Sequence, residues 1–219
     1  MILYGSTMSP FVRKIWAMAA EMEVPIELRA AGFGQGGAEF QEASPFGKMP
    51  GFRDPGADDG RDFVISDSTA IAAYLHAKYP GAAMIPVAPI PRARTIWFEE
   101  FSDTIIMKAG IAIFFNRFVS PKILKRPGNE AAAEAAERDE LPPIFDYIES
   151  VVPPSGFLVE DRLTLADLSV ASPFANLRHL GVAFDLERWP KACGYIDAIL
   201  ARPSFAGTIA REAAAMARM

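Results

Sequence analysis

The sequence contains very little cysteine and histidine. One cysteine, Cys193, and two histidines, His76 and His179, occur among 219 residues. A single cysteine excludes an intrachain disulfide, and no Cys-x-x-Cys pair is present for dithiol chemistry. The histidines are far apart and form no metal-binding spacing, so we expect no metal site. We expect Cys193 to be a buried apolar residue.

Excess positive charge and a long apolar run are also missing. Lys and Arg number 22 against 27 Asp and Glu, a formal charge of −5, which argues against a nucleic-acid partner. The most apolar stretch, 105–119, contains Lys108 and is shorter than the roughly 18–20 residues that span a membrane. The opening residues lack the basic segment of a signal peptide. We therefore expect a cytoplasmic protein without a membrane partner.

About half of the residues, 51%, are hydrophobic, which excludes a disordered chain. Residues 1–80 alternate short apolar segments with helical patterns. The patterns predict strands at 1–5, 26–30, 51–54 and 62–65 and helices at 10–22 and 69–78. A strand, a helix and a strand in this order indicate a right-handed parallel unit.

Prolines separate this region from the rest of the chain. Four of them, Pro80, Pro86, Pro89 and Pro91, favour an extended connection. We expect an α/β domain over 1–80, a proline-rich linker over 81–91 and an all-helical domain over 92–219.

The region after the linker shows helix signals and no convincing strand. Predicted helices cover about 92–119, 129–150 with a kink or break at its prolines, and 187–201 before Pro203. Another helix begins after Thr164, with Asp167 placed for a capping box.

The segment between the first strand and first helix is the first candidate site. Ser9 precedes Pro10, a pattern typical of a helix N-cap followed by proline. Ser9 could serve only as the cap. Alternatively, its hydroxyl could donate a hydrogen bond to a thiolate, because a helix N-terminus lowers the pKa of a thiol. Since this segment contains no cysteine, the thiol would belong to a ligand.

Two further segments lie where a strand starts or ends. Pro50 stands at the start of a predicted strand, and a cis Met49–Pro50 bond would expose backbone groups to a ligand; an ordinary trans bond is the alternative. Asp67 and Ser68 open a helix and could cap it. They could also bind an amine and a carboxylate, the two charged groups of an amino acid.

Several motifs together resemble a cytosolic glutathione S-transferase of the serine type. The motifs are Leu3-Tyr4-Gly5, Ser9–Lys14, Ser44–Pro50, Asp67–Ile71 with Tyr74-Leu75, Leu163–Asp167, Trp189-Pro190 and Ala201–Pro203. Their order and spacing cover nearly the whole chain. The resemblance implies a thioredoxin-like N-terminal domain, an all-helical C-terminal domain and a homodimer.

The resemblance also implies roles for individual residues. Ser9 would be catalytic and activate the thiol of glutathione, the co-substrate, while Tyr4 inside the first strand is a poor replacement. The backbone of Met49 would pair with the cysteinyl part, next to a cis Pro50. The remaining glutathione contacts would be Lys48, near the glycyl carboxylate, and Asp67 with Ser68, at the γ-glutamyl group.

The second substrate would be a small, apolar electrophile. We expect its pocket to include Phe11, Phe98, Phe101, Ile105 and Lys108, although core packing would explain the same residues. Arg13 and Lys14 are expected on a solvated face.

Other reactions remain open at this point. Isomerisation, dehalogenation and peroxide reduction use the same thiol, and a non-catalytic binding protein could share the fold.

Overall fold

The computed structural model describes residues 1–219. The chain forms two compact units, Met1–Val87 and Ala88–Met219. The first contains all four strands of the sheet, and the second is helical.

The first unit is built on a mixed four-stranded sheet in the order β2-β1-β3-β4. The strands are β1 Ile2–Tyr4, β2 Glu27–Arg29, β3 Gly51–Asp58 and β4 Arg61–Ser66. β1 runs parallel to β2 and antiparallel to β3, and β3 and β4 form a hairpin. The helices are α1 Pro10–Glu21, α2 Gly37–Ala43 and α3 Ser68–Lys78. This confirms the expected thioredoxin-like domain.

Helix α1 corrects one expectation from the sequence. Arg13 and Lys14 are almost completely buried instead of solvated. Their neighbours Val12 and Ile15 are buried as well. Since successive helical residues point about 100° apart, four buried residues in a row leave no solvated face on this turn.

Helix α2 is absent from the sequence prediction because it is short and opens in the glycine-rich stretch. Phe40 supplies its buried anchor, and the Phe40 ring lies 6.4 Å from that of Tyr4. Arg29 donates to Glu39 over 2.8 Å, and Arg53 forms an ion pair with Glu42. Tertiary contacts of this kind stabilise a seven-residue helix that would be marginal alone.

The second unit contains α4 Pro89–Glu100, α5 Met107–Phe114, α6 Glu130–Ala135, α7 Leu141–Val151, α8 Leu165–His179, α9 Pro190–Leu200 and α10 Pro203–Met216. π-Helical segments Phe101–Ile106, Phe115–Ile123 and Ala136–Glu140 continue α4, α5 and α6. Only helical elements are assigned here, which confirms the all-helical half. None of the helices combines the length and the apolar character that spanning a bilayer requires.

Three helix boundaries differ from the sequence prediction for the same reason. α4 starts at Pro89, α7 has its prolines in the first turn, and α10 starts at Pro203, where the sequence predicted only an end. Proline lacks an N–H, but the first turn of a helix does not use that group, so proline also begins helices.

Helix α8 forms the centre of this unit, with every residue from Leu165 to Leu177 buried. Asp167 accepts hydrogen bonds from the backbone N–H groups of Thr164 and Leu158, each over 2.9 Å, and from the Tyr195 hydroxyl over 3.2 Å. The predicted capping pair is confirmed, and Cys193 is buried as expected.

Candidate functional site

The register of the sheet brings the three candidate segments to one edge. Tyr4 of β1 pairs with Gly51 of β3, and Gly51 pairs with Ser66 of β4. Neighbouring strands are about 4.8 Å apart, so these three residues span only about 10 Å. The chain continues from Tyr4 toward Ser9, reaches Gly51 from Met49 and Pro50, and continues from Ser66 into Asp67.

Ser9 lies half-buried immediately before α1, with extended backbone angles, φ −78° and ψ 121°. Its backbone N–H donates to the Ser6 carbonyl over 2.9 Å, but its side chain makes no capping hydrogen bond. Ser9 is therefore not a simple side-chain cap. The hydroxyl is beside the positive end of a twelve-residue helix, where a thiolate is favoured.

The peptide bond between Met49 and Pro50 is cis. The preceding loop is held by Ser44, which is fully buried and donates from Oγ to the Lys48 carbonyl over 2.7 Å. Lys48 itself is exposed. Ser44 thus fixes the backbone immediately before Met49, a role that the sequence prediction missed although Ser44 stands in a recognised motif.

The Met49 side chain packs against two glycines from other segments. At Gly32, which has φ +99°, an added Cβ would lie 2.5 Å from the Met49 sulfur. At Gly5, it would lie 3.5 Å from the Met49 Cβ and 2.6 Å from a methyl group of Val12. The close approach of Gly5 places Met49 against the end of β1, where the chain leaves toward Ser9.

Asp67 and Ser68 open α3. The Asp67 Oδ1 atom accepts the backbone N–H groups of Thr69 and Ala70 over 2.9 and 3.3 Å, so Asp67 is the N-cap. Asp67 remains exposed, whereas Ser68 is buried at the first helical position. Asp67 thus occupies the N–H groups of Thr69 and Ala70, and its exposed carboxylate can meet a cation.

Tyr4 is occupied by structural contacts. It is buried, and its hydroxyl donates to Glu39 over 3.1 Å. Burial raises the pKa of Tyr4, which outweighs a hydrogen bond to Arg53. Because the Tyr4 hydroxyl already donates to Glu39 and is buried, it is not available as a hydrogen-bond donor to a ligand thiolate.

Three of the five residues expected around the second substrate line one groove in the helical unit. Phe101, Ile105 and Lys108 share an open cavity of about 440 Å³ with Ile144 and other residues. Lys108 forms an ion pair with Glu140 over 3.1 Å at its rim. The groove therefore combines apolar walls with a charged edge.

The other two residues have different surroundings. Phe98 is buried, and its ring lies 6.5 Å from that of Tyr147. Phe11 belongs to the first unit, where the Lys14 ammonium is 5.8 Å from the centre of its ring. No group of three or more His, Cys, Asp and Glu side chains is arranged to hold a metal.

Comparisons with known proteins agree with this architecture. Residues 3–83 match the glutathione S-transferase N-terminal domain family, and residues 103–203 match the glutathione S-transferase C-terminal domain family. A glutathione S-transferase of Hyoscyamus muticus is 28% identical, with 95% of this chain and 97% of the relative covered. A stringent starvation protein A homologue of Coxiella burnetii is 24% identical, with 97% and 92% covered.

A solved structure has the same fold. The glutathione transferase URE2P8 of Phanerochaete chrysosporium, crystallised with oxidised glutathione, has a TM-score of 0.81 and 21% identity, with 100% of this chain and 97% of that chain covered. The two domain matches, at residues 3–83 and 103–203, show that the chain belongs to the glutathione S-transferase family.

Proposed function

We propose that this protein is a glutathione transferase that activates the glutathione thiol for attack on a small apolar electrophile. The observation that carries the proposal is the pairing of Tyr4, Gly51 and Ser66, which places the Ser9, Met49 and Asp67 segments at one sheet edge. A tripeptide is long enough to contact all three segments.

In this proposal, Ser9 donates a hydrogen bond to the thiolate and forms no covalent bond to substrate. Its hydroxyl makes no bond to the α1 backbone and is available for this role. A hydrogen bond to a charged group contributes roughly 1.5–3 kcal/mol. At about 1.4 kcal/mol per unit, it lowers the thiol pKa by about one to two units. The positive end of α1 adds to the effect.

The remaining contacts are assigned by chemistry. The Met49 backbone, beside Pro50, pairs with the cysteinyl part of glutathione, and exposed Lys48 meets the glycyl carboxylate. Ser68 receives the γ-glutamyl carboxylate at the α3 N-terminus. Asp67 meets the γ-glutamyl amine through Oδ2, since its capping bonds use Oδ1.

We assign the second substrate to the residues expected from the sequence. Phe101, Ile105 and Lys108 form a groove wall, which supports an apolar molecule with a polar group. Phe98 and Phe11, which do not line this groove, stay proposed as contacts of the second substrate. Isomerisation, dehalogenation and peroxide reduction share the same thiolate, and a panel of electrophiles, haloalkanes and hydroperoxides distinguishes them.

The decisive experiment is a calorimetric titration with glutathione. The wild-type protein should bind saturably, Ser68→Ala should bind several-fold more weakly, and Ser155→Ala, an exposed serine of the helical unit, should bind like the wild type. No binding at millimolar glutathione would overturn the proposal.

A second candidate is a non-catalytic binding protein. It is favoured by the full-length similarity to the stringent starvation protein A homologue, whose name mentions no transferase. Saturable glutathione binding without turnover across the panel would support this alternative.

Family membership also leads us to propose a cytoplasmic homodimer that detoxifies electrophiles. Light scattering of the purified protein tests the dimer: a monomer mass at micromolar concentration would contradict it.

A further inference from the structure

A buried carboxylate connects β3 to α3. Asp54 of β3 is nearly inaccessible to solvent, and two side chains of α3 donate hydrogen bonds to its carboxylate. The Tyr74 hydroxyl donates to its Oδ2 atom over 2.7 Å, and the Lys78 ammonium donates to the same atom. Because a buried carboxylate without partners is strongly unfavourable, these two bonds maintain the contact between strand and helix.

The two donors belong to one face of α3, since Tyr74 and Lys78 are four residues apart. The Lys78 ammonium also donates to the Tyr74 hydroxyl over 3.3 Å. The Tyr74 ring stacks on Phe63 of β4 at 4.5 Å between centroids and lies 5.7 Å from Phe52 of β3. Ring packing and hydrogen bonding therefore fix Tyr74 against both strands of the hairpin.

The two elements joined in this way carry different parts of the proposed glutathione site. β3 begins directly after Pro50, and α3 begins at Ser68. Their starting points are linked by the pairing of Gly51 with Ser66. The Asp54 contact adds a second attachment near the end of α3. A helix attached at its start and again further along cannot tilt freely.

We propose that Asp54 and Tyr74 are positioning residues that keep the γ-glutamyl contacts of α3 at a fixed distance from the cysteinyl contact at Met49. The inference rests on the proposed function, because it assigns these two subsites to glutathione. Glutathione reaches both subsites, whereas cysteinylglycine lacks the γ-glutamyl group and reaches only the Met49 side. Loosening α3 therefore weakens glutathione binding selectively.

Tyr74→Phe is the test variant, because it keeps the ring stack and removes only the hydroxyl. Tyr79→Phe is the matched control: this tyrosine directly follows α3, and its hydroxyl has only a 4.0 Å contact with the Met1 sulfur. Calorimetry measures the affinity of each protein for glutathione and for cysteinylglycine. In Tyr74→Phe, glutathione should bind about three- to tenfold more weakly, because binding must then restore the α3 position at a cost no larger than the one hydrogen bond that held it. Cysteinylglycine affinity should change less than about twofold, and the control should change neither.

The ratio of glutathione affinity to cysteinylglycine affinity distinguishes two roles. It falls if Tyr74 positions α3, and it stays constant if Tyr74 only stabilises the fold. Equal weakening of both thiols, or no weakening, would overturn the inference while leaving the proposed function intact. A wild-type protein that binds no glutathione would overturn both. Lys78→Ala is a second variant that removes the other donor; because the Lys78 side chain is about one-third exposed, water can take the place of its ammonium beside Asp54. The same fall in the ratio is expected.

Discussion

Removing the Ser44 hydroxyl should weaken both the loop before Met49 and glutathione binding. Ser44 is fully buried and donates to the Lys48 carbonyl over 2.7 Å. A net hydrogen bond contributes about 0.5–1.5 kcal/mol, and an unsatisfied buried acceptor costs about 1–3 kcal/mol. Because Lys48 is exposed, water can reach its carbonyl in part, so we expect Ser44→Ala to cost about 1–2 kcal/mol.

A matched control exists in the helical unit. Ser150 Oγ donates to the Tyr147 carbonyl over the same 2.7 Å, but on an exposed surface where water replaces the bond. Ser150→Ala should therefore change the free energy of unfolding by less than about 0.5 kcal/mol. At about 2–4 °C per kcal/mol for a chain of this size, Ser44→Ala should lower Tm by roughly 2–8 °C and the control by less than about 2 °C.

Local hydrogen exchange and glutathione titration complete the test. In Ser44→Ala, amides of residues 44–52 should exchange faster while those of α8 do not, and glutathione affinity should fall several-fold. Equal effects of the two serine substitutions would refute the assigned role of the buried bond. Unchanged glutathione affinity in a destabilised Ser44→Ala would refute the link between this loop and the site.

Three further predictions follow from other parts of the chain. A Cβ at Gly128 would lie 1.8 Å from the Asn116 carbonyl oxygen, so Gly128→Ala should lose about 1–3 kcal/mol in urea unfolding, and an unchanged midpoint would contradict this contact. Burial raises the pKa of Asp54, but bonds from Lys78 and Tyr74 outweigh it and lower the pKa overall. The stability advantage over Asp54→Asn should then be complete above about pH 5 and shrink as the pH falls below about 4; acid unfolding with a constant difference would contradict this. Ile105→Glu should raise KM for apolar electrophiles without changing glutathione affinity, and an unchanged KM would remove the groove from the site.

The sequence predicts the elements that show regular patterns. The buried run of β1 and the alternation near β2 are local signals, and β1, β2 and β4 lie within one residue of their predicted bounds. β3 is longer than predicted, because it continues through Pro55 and Gly56 to Asp58. The sequence places the Ser9, Met49 and Asp67 segments each at the end of an element, which favours a shared site. Only the register of the folded sheet, which pairs Tyr4 with Gly51 and Gly51 with Ser66, brings these segments together.

Other features depend on long-range contacts that a single sequence does not reveal. α2 needs Phe40 and ion pairs to distant arginines, and the burial of Arg13 depends on its surroundings in the folded chain. Asp54 and Tyr74 are twenty residues apart, and nothing in their spacing indicates a contact. Only the family resemblance predicts the cis bond before Pro50, because most peptide bonds that precede proline in folded proteins are trans.

The most direct test of the central claim is the pKa of the glutathione thiol bound to the protein. Ultraviolet absorbance of the thiolate, followed against pH, measures it in the wild type, in Ser9→Ala and in Ser6→Ala as a control from the same loop. The account predicts that the bound thiol pKa is about one to two units lower in the wild type and in Ser6→Ala than in Ser9→Ala. The same pKa in all three proteins would contradict the role of Ser9.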